Sequence, residues 1–317
     1  MGPSIKLGYL FPGQGAQFVG MGRDLADAFP SARKVFDQAD SELGFSISKL
    51  CFDGSEEELT RTLYAQPAIL VTSLAALAVF NEKFQGIEPA FVAGLSLGEF
   101  TALVAAGAMT YSDGLKLVKL RAEAMEKSAR IHPGSMASVM GLNASDCKVI
   151  ANEAGCEVAN LNAPDQIVLS GTKESIDKAC ALARAKGAKR AMPLKVGGAF
   201  HSSLMREAKE MLGSALDGTM IRQPSCVFVP NAVGKQVSDP AEIKNLLSQQ
   251  LMSPVQWVDT MTQAAQAEVP FFLEMGPGKV LKGLARRGET PVEVLPAGTV
   301  VDIDKLDERL KTLQTGG

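Results

Sequence analysis

The chain has 317 residues, enough for two average domains or for one large α/β domain carrying an insertion. Its 46% hydrophobic and 21% charged residues are the proportions of a soluble globular enzyme, and a formal net charge of -3 excludes a general attraction to nucleic acid or to an anionic membrane. Five cysteines, scattered and never spaced as Cys-x-x-Cys, fit free thiols in a reducing compartment, and two histidines are too few for a His-rich metal site.

Met1-Gly2-Pro3-Ser4 has no basic-then-apolar signal pattern, and Lys6 stands where a myristoylation signal needs Ser or Thr. The expected location is the cytoplasm, with plastid stroma after loss of a transit segment as the alternative. Residues 5–11 read as a buried strand that stops at Pro12-Gly13-Gln14-Gly15-Ala16-Gln17. Four residues separate Gly15 from Gly20, so these glycines are not a dinucleotide fingerprint but a tight loop that a ligand can approach. Helices are predicted over 22–43 and 67–84, the second with Pro67 in its first turn. Its most apolar part, Ala68 to Phe80, is too short to span a bilayer and reads as a buried helix.

The strand Ala90 to Ala93 then runs into Gly94-Leu95-Ser96-Leu97-Gly98 and directly into a helix ending near Ala106. Gly-x-Ser-x-Gly between strand and helix is the spacing of a nucleophile elbow, in which a sharp turn exposes the serine hydroxyl. A second helix is predicted over 112–129 with Ser112 as cap. Lys116, Lys119, Glu123, Glu126, Lys127 and Arg130 share one side of it, whereas Arg121 falls on the opposite side with Leu117, Val118, Ala124 and Met125. A guanidinium cannot shed its charge and is costly to bury alone, so Arg121 needs an anion.

Ile131-His132-Pro133-Gly134 marks a crossing, after which strands and helices follow in the order βαββαβ as far as Leu194, the plan of a ferredoxin-like domain. The chain returns near Val196-Gly197-Gly198-Ala199-Phe200-His201. Helices at 202–216, 241–251 and 259–267 and strands at 226–230 and 270–274 complete it. Gly276-Pro277-Gly278-Lys279 opens a further helix without Walker spacing. The expected fold is α/β: a large subdomain, 1–130 and 198–317, with a mostly parallel hydrolase-like sheet, interrupted by the ferredoxin-like insert 131–197.

A serine nucleophile needs a base, ordinarily histidine at neutral pH. His132 sits in a linker before Pro133 and reads as structural; His201 follows a Gly-Gly turn at the start of a helix, where catalytic groups are often placed. Elbow and histidine fit a serine thioesterase or carboxylesterase as well as an acyltransferase, and the inward Arg121 separates these, since a simple esterase has no use for it. A catalytically silent binding module is a third reading, against which the intact Ser96 and His201 argue.

Phe11-Pro12-Gly13-Gln14-Gly15-Ala16-Gln17, Gly94-Leu95-Ser96-Leu97-Gly98-Glu99, Arg121, Gly198-Ala199-Phe200-His201-Ser202 and Gln250-Leu251-Met252-Ser253-Pro254-Val255-Gln256-Trp257 resemble the malonyl-CoA:acyl carrier protein transacylases. The resemblance runs in order over about 5–285. It implies ping-pong transfer of a malonyl group through a Ser96 ester to the phosphopantetheine thiol of an acyl carrier protein, with no cofactor of the enzyme's own. It further implies that His201 is the base, that backbone N–H groups of Gln14 and Leu97 form an oxyanion hole, and that Arg121 holds the malonyl carboxylate. Gln250 is implied to orient His201, an amide replacing the acidic third member of a triad. Phe200, Leu95 and Met125 are implied selectivity positions, and Leu95 departs from the histidine that most relatives carry there. Lys189, Arg190, Lys282, Arg286 and Arg287 are expected to border the cleft and steer an acidic carrier protein, solvated surface charge being the alternative reading. The expected state is a monomer.

Overall fold

The computed structural model describes residues 6–289 and 291–315; the four opening residues and Ile5 of the first predicted strand lie outside them. Strands β1 (Lys6–Phe11), β2 (Glu88–Gly94), β3 (Ser135–Met140), β4 (Glu157–Ala163), β5 (Gln166–Gly171), β6 (Arg190–Pro193), β7 (Val227–Phe228), β8 (Phe272–Glu274) and β9 (Val294–Pro296) form two sheets. The larger has the order β7-β2-β1-β8-β9, every pairing parallel. A parallel strand is covered on both faces, which is why β1 reads as an unbroken apolar run. Leu7, Tyr9 and Phe11 join the main core, while Leu10 packs into a second core with Phe91, Ala93 and Trp257 on the other face.

The smaller sheet has the order β4-β5-β3-β6 and is antiparallel throughout. All its strands fall inside the 131–197 span. Helices Ala144–Ala154 and Lys173–Ala185 cover one face, enclosing a separate core of Val139, Ile150, Ile167, Leu169 and Ile176. The other face contributes Met136, Ala159 and Val168 to the main core. A seam ties the sheet edge to the large subdomain: the Val255 N–H donates to Ala159 O at 2.8 Å and the Leu161 N–H donates to Val255 O at 2.9 Å. Glu157 adds hydrogen bonds from the Ser203 N–H and hydroxyl.

Several boundaries differ from the sequence reading for local physical reasons. The helices expected over 22–43 are Arg23–Ala28 and Pro30–Leu43, divided where Phe29 before Pro30 is extended. Pro67 is not in a first turn; it is the sixth residue of the 22-residue helix Thr62–Lys83. The ring forfeits one backbone bond there, and tight packing of Gln66, Ala68, Ile69 and Leu70 outweighs it. That helix is long enough to cross a bilayer, but 83% of its apolar window is buried inside the protein. Helix Tyr111–Ile131 is capped by Thr110, whose hydroxyl accepts the Asp113 N–H, rather than by Ser112. The short helices Ile47–Asp53 and Glu56–Thr60, strand β9 and helix Val300–Thr315 were not expected.

Ile167 is fully buried in the small core. Ile167→Ala is expected to cost about 2–5 kcal/mol, read as a lower urea midpoint; an unchanged midpoint would refute an independent core there.

Candidate active site

Two glycines are sterically required at the elbow. A Cβ on Gly94 would stand 1.9 Å from the Gly98 carbonyl carbon, and one on Gly98 would stand 2.1 Å from the Phe11 carbonyl oxygen. Between them Ser96 adopts φ 52°, a left-handed conformation that costs a non-glycine residue about 1–3 kcal/mol. The helix Gly98–Ala105 begins at once, so the serine hydroxyl is presented beside a helix start.

His201, also left-handed at φ 58°, brings Nε2 to 2.8 Å from the Ser96 Oγ. Its Nδ1 lies 2.9 Å from the Gln250 carbonyl oxygen, which can only accept. Nδ1 therefore carries the proton, and the Ser96 hydroxyl donates to a bare Nε2. Gln250 thus touches the ring N–H as expected, and it does so through its main-chain carbonyl rather than its side chain. Burial, and secondly the Arg121 charge, push the His201 pKa down to about 4, while the Gln250 carbonyl favours the protonated ring. At neutral pH the imidazole is an uncharged base.

Arg121 is 1% exposed. Its Nη1 donates to Gln66 Oε1 at 2.6 Å, and its Nη2 donates to Gln250 Oε1 at 2.9 Å and to Ser96 Oγ at 3.0 Å. The guanidinium also lies 5.7 Å from the Phe100 ring centroid. Among the described residues it forms no ion pair, and its Nε has no hydrogen-bond partner. Burial lowers its pKa to about 10, opposed by the Glu99 charge. Glu99, fully buried on the first turn after the elbow, is raised by burial and lowered by its donors, the Asn231 N–H and the Gln250 side-chain amide. The charge of Arg121 is thus held by uncharged carbonyls, with the nearest carboxylate reached through an amide.

A cavity of about 140 Å³ opens over these groups. Gln14, Leu95, Leu97, Met125 and Phe200 line it from the large subdomain, and Met136, Asn160 and Asn162 line it from the small sheet. The backbone N–H groups of Gln14 and Leu97 have no acceptor among the described residues, and the Gln14 side chain donates to Thr62 at 3.2 Å. A second cavity of about 380 Å³ shares Phe200 and is bordered by Arg61, Arg130 and Lys195. None of Lys189, Arg190, Lys282, Arg286 and Arg287 lines the first cavity, and Arg287 is tied to Asp165 at 2.8 Å. His132 lies apart, paired with Glu207. All five cysteines are free.

Sequence reasoning missed Gln66, Glu99 and Asn231 as parts of this site. Glu99 had a readable signal, since an acidic residue one step beyond the elbow glycine is followed by an apolar helix. Asn231 lies 135 residues from Ser96 in a segment without a motif and carried none.

The acyl transferase domain family matches residues 8–305. A malonyl CoA-acyl carrier protein transacylase of Bacillus subtilis is 41% identical over 98% of this chain and 98% of its own length. The crystal structure of an acyl-carrier-protein S-malonyltransferase from Burkholderia pseudomallei superposes with a TM-score of 0.92 at 40% identity, covering 96% of this chain and 100% of that one. A type II PKS acyl-carrier protein in complex with its malonyl-transacylase gives a TM-score of 0.92 at 34% identity, covering 96% and 99%.

The acid limb of serine acylation is expected near pH 4, well below that of an ordinary imidazole. The unfolded chain, with a histidine pKa near 6.5, binds this proton first; His201 therefore lowers native stability progressively as the pH falls from about 6.5 toward 4. Stopped-flow loading at a series of pH values checks the first point, and a limb centred near pH 6.5 would overturn it.

Proposed function

The chain belongs to the acyl transferase family, among the malonyl-CoA:acyl carrier protein transacylases, and from that premise we propose how its residues divide the reaction. The enzyme moves a malonyl group from malonyl-CoA to the phosphopantetheine thiol of an acyl carrier protein in two half-reactions through a Ser96 ester. In the first, His201 Nε2 takes the Ser96 proton as Oγ attacks the thioester carbonyl. The oxyanion forms toward the N–H groups of Gln14 and Leu97, and losing one such donor would raise the barrier by about 3–4 kcal/mol. Collapse expels coenzyme A thiolate, which recovers the proton from Nε2. In the second, the carrier thiol gives its proton to Nε2 and attacks the ester; collapse returns the proton to Ser96.

The observation that carries the malonyl reading is Arg121, buried, without an ion pair, and donating to the nucleophile itself. A carboxylate two bonds from the reacting carbonyl would supply the missing anion and accept from Nη2 and Nε. An esterase reading leaves this charge without a purpose. Leu95, Met125 and Phe200 surround the acyl group with apolar wall, so discrimination against other acids rests on volume and on Arg121. One copy suffices, because every residue invoked comes from one chain, and no cofactor is required by any step. For carrier docking we retain Lys189, Arg190, Lys282 and Arg286; Arg287, already paired with Asp165, is the weaker candidate.

Intact-mass spectrometry after mixing with malonyl-CoA tests the chemistry. A malonyl adduct should form, vanish in Ser96→Ala and be discharged by holo carrier protein; rapid hydrolysis without an adduct would favour an esterase. Arg121→Ala is expected to slow malonyl loading on the order of 100-fold more than acetyl loading, and equal losses would make Arg121 merely structural. Charge reversal at Lys189 and Arg190 should raise the KM for carrier protein while leaving loading from malonyl-CoA unchanged; equal effects on both half-reactions would remove these residues from docking.

A further inference from the structure

The elbow's own backbone satisfies its polar groups only in part: the Gly98 N–H donates to the Leu95 carbonyl at 3.0 Å and the Glu99 N–H to the Ser96 carbonyl at 3.2 Å, while the Ser96 N–H is left to a side chain. Its left-handed conformation needs support from the surroundings. Two buried side-chain amides give that support. Asn231, 1% exposed, accepts the Ser96 N–H on Oδ1 at 2.6 Å and donates from Nδ2 to the Gly94 carbonyl at 2.7 Å, so one amide group spans the turn. Gln250, fully buried, donates from Nε2 to the Ser96 carbonyl at 2.9 Å. Glu99 links the two, with Oε2 accepting the Asn231 backbone N–H at 2.9 Å and the Gln250 amide at 2.8 Å.

The fold delivers Asn231 to this place. Strand β7 runs parallel to β2, with Phe91 opposite Val227 and Val92 opposite Phe228. The chain leaving β7 thus emerges alongside Gly94, three residues after its last strand residue. Asn231 does not line the cavity and makes no hydrogen bond to His201, and its main-chain carbonyl accepts the Gln256 N–H at 2.8 Å.

We infer that Asn231 is a positioning residue for acyl transfer: its amide holds Ser96 in the backbone conformation that aims Oγ at His201 and presents the Leu97 N–H to the cavity. Only a group that accepts and donates in the same plane can do this. A neutral carboxylic acid can, whereas an ionised one cannot donate to the Gly94 carbonyl. This inference rests on the acyl-transfer reading, because the rate of Ser96 acylation is its readout.

Asn231→Asp converts the geometry into a pH dependence. The introduced carboxyl would be buried against the backbone of Ser96 and Gly94, on a residue whose own N–H donates to Glu99, with His201 and Arg121 on the Ser96 hydroxyl beyond it; burial and a nearby acid disfavour its ionised form. The ratio of variant to wild-type acylation rate should stay within about threefold near pH 5.5 and fall at least about tenfold by pH 8.5. Using the ratio cancels any titration of Glu99 and His201 common to both proteins. Asn231→Ala should load about 100-fold more slowly at every pH with little change in the KM for malonyl-CoA, since Arg121 is untouched. A pH-independent ratio for Asn231→Asp would overturn the inference, as would normal loading by Asn231→Ala. If Asn231→Ala does not fold, Asn231→Asp near pH 5.5 carries the test alone, and its failure to fold there would count against the inference too. Absence of acylation in the wild type would instead sink the malonyl-transfer reading, so the two failures are separable.

Discussion

The site depends on keeping one guanidinium buried and charged without pairing it. Taking an arginine out of water costs several kcal/mol, and the usual remedy is a carboxylate at hydrogen-bond distance. Here the neighbours are the carbonyl oxygens of Gln66 and Gln250, with Glu99 one amide further away. Glutamine carbonyls take one N–H from each terminal nitrogen while leaving the charge largely uncompensated and Nε unpartnered, and Glu99 lowers the cost from a distance. A directly paired Arg121 would have little left to offer a substrate carboxylate. Burial keeps the base uncharged, and the positive field that awaits the substrate adds to it by disfavouring protonation of His201.

Gln250 is the point at which these demands meet. Its main chain fixes the histidine tautomer, its side-chain oxygen holds Arg121, and its side-chain nitrogen braces the carbonyl of Ser96 and reaches Glu99. Truncating its side chain would disturb the cation and the nucleophile together while leaving the main-chain acceptor of His201 in place, so its mutation reports no single role. Asn231 is the cleaner probe of the elbow because it hydrogen-bonds neither His201 nor Arg121.

What was legible in the sequence follows from how local the physics is. The parallel and antiparallel sheets were readable because strand patterns and βαββαβ order are written in contiguous residues. Ser96 was readable from its flanking glycines, and Arg121 from its place on the apolar side of a helix. The contacts of Gln66 and Asn231 were not, since each depends on segments more than 50 residues apart meeting in space, and uncharged amides leave no mark in a hydropathy pattern; Glu99 was visible as an acid before an apolar helix, but its partners, equally distant in sequence, were not. Helix starts failed where a single residue decides them, as at Phe29 and Thr110. The helix Val300–Thr315 was overlooked although Pro296 and Gly298 precede it and the Thr299 hydroxyl accepts the Asp302 N–H at 3.1 Å, a local start signal.

The seam between the small sheet and Val255 has a mechanical consequence. Val255 lies only five residues beyond Gln250, whose carbonyl sets the ring of His201, and the same stretch is paired to Ala159 and Leu161 on the strand that roofs the cavity. Opening the cleft like a jaw would pull on the acceptor that aligns the base. The cleft therefore behaves as a fixed caliper: the span available to the acyl group and the alignment of the proton acceptor are set by one strip of backbone, and loosening one loosens the other.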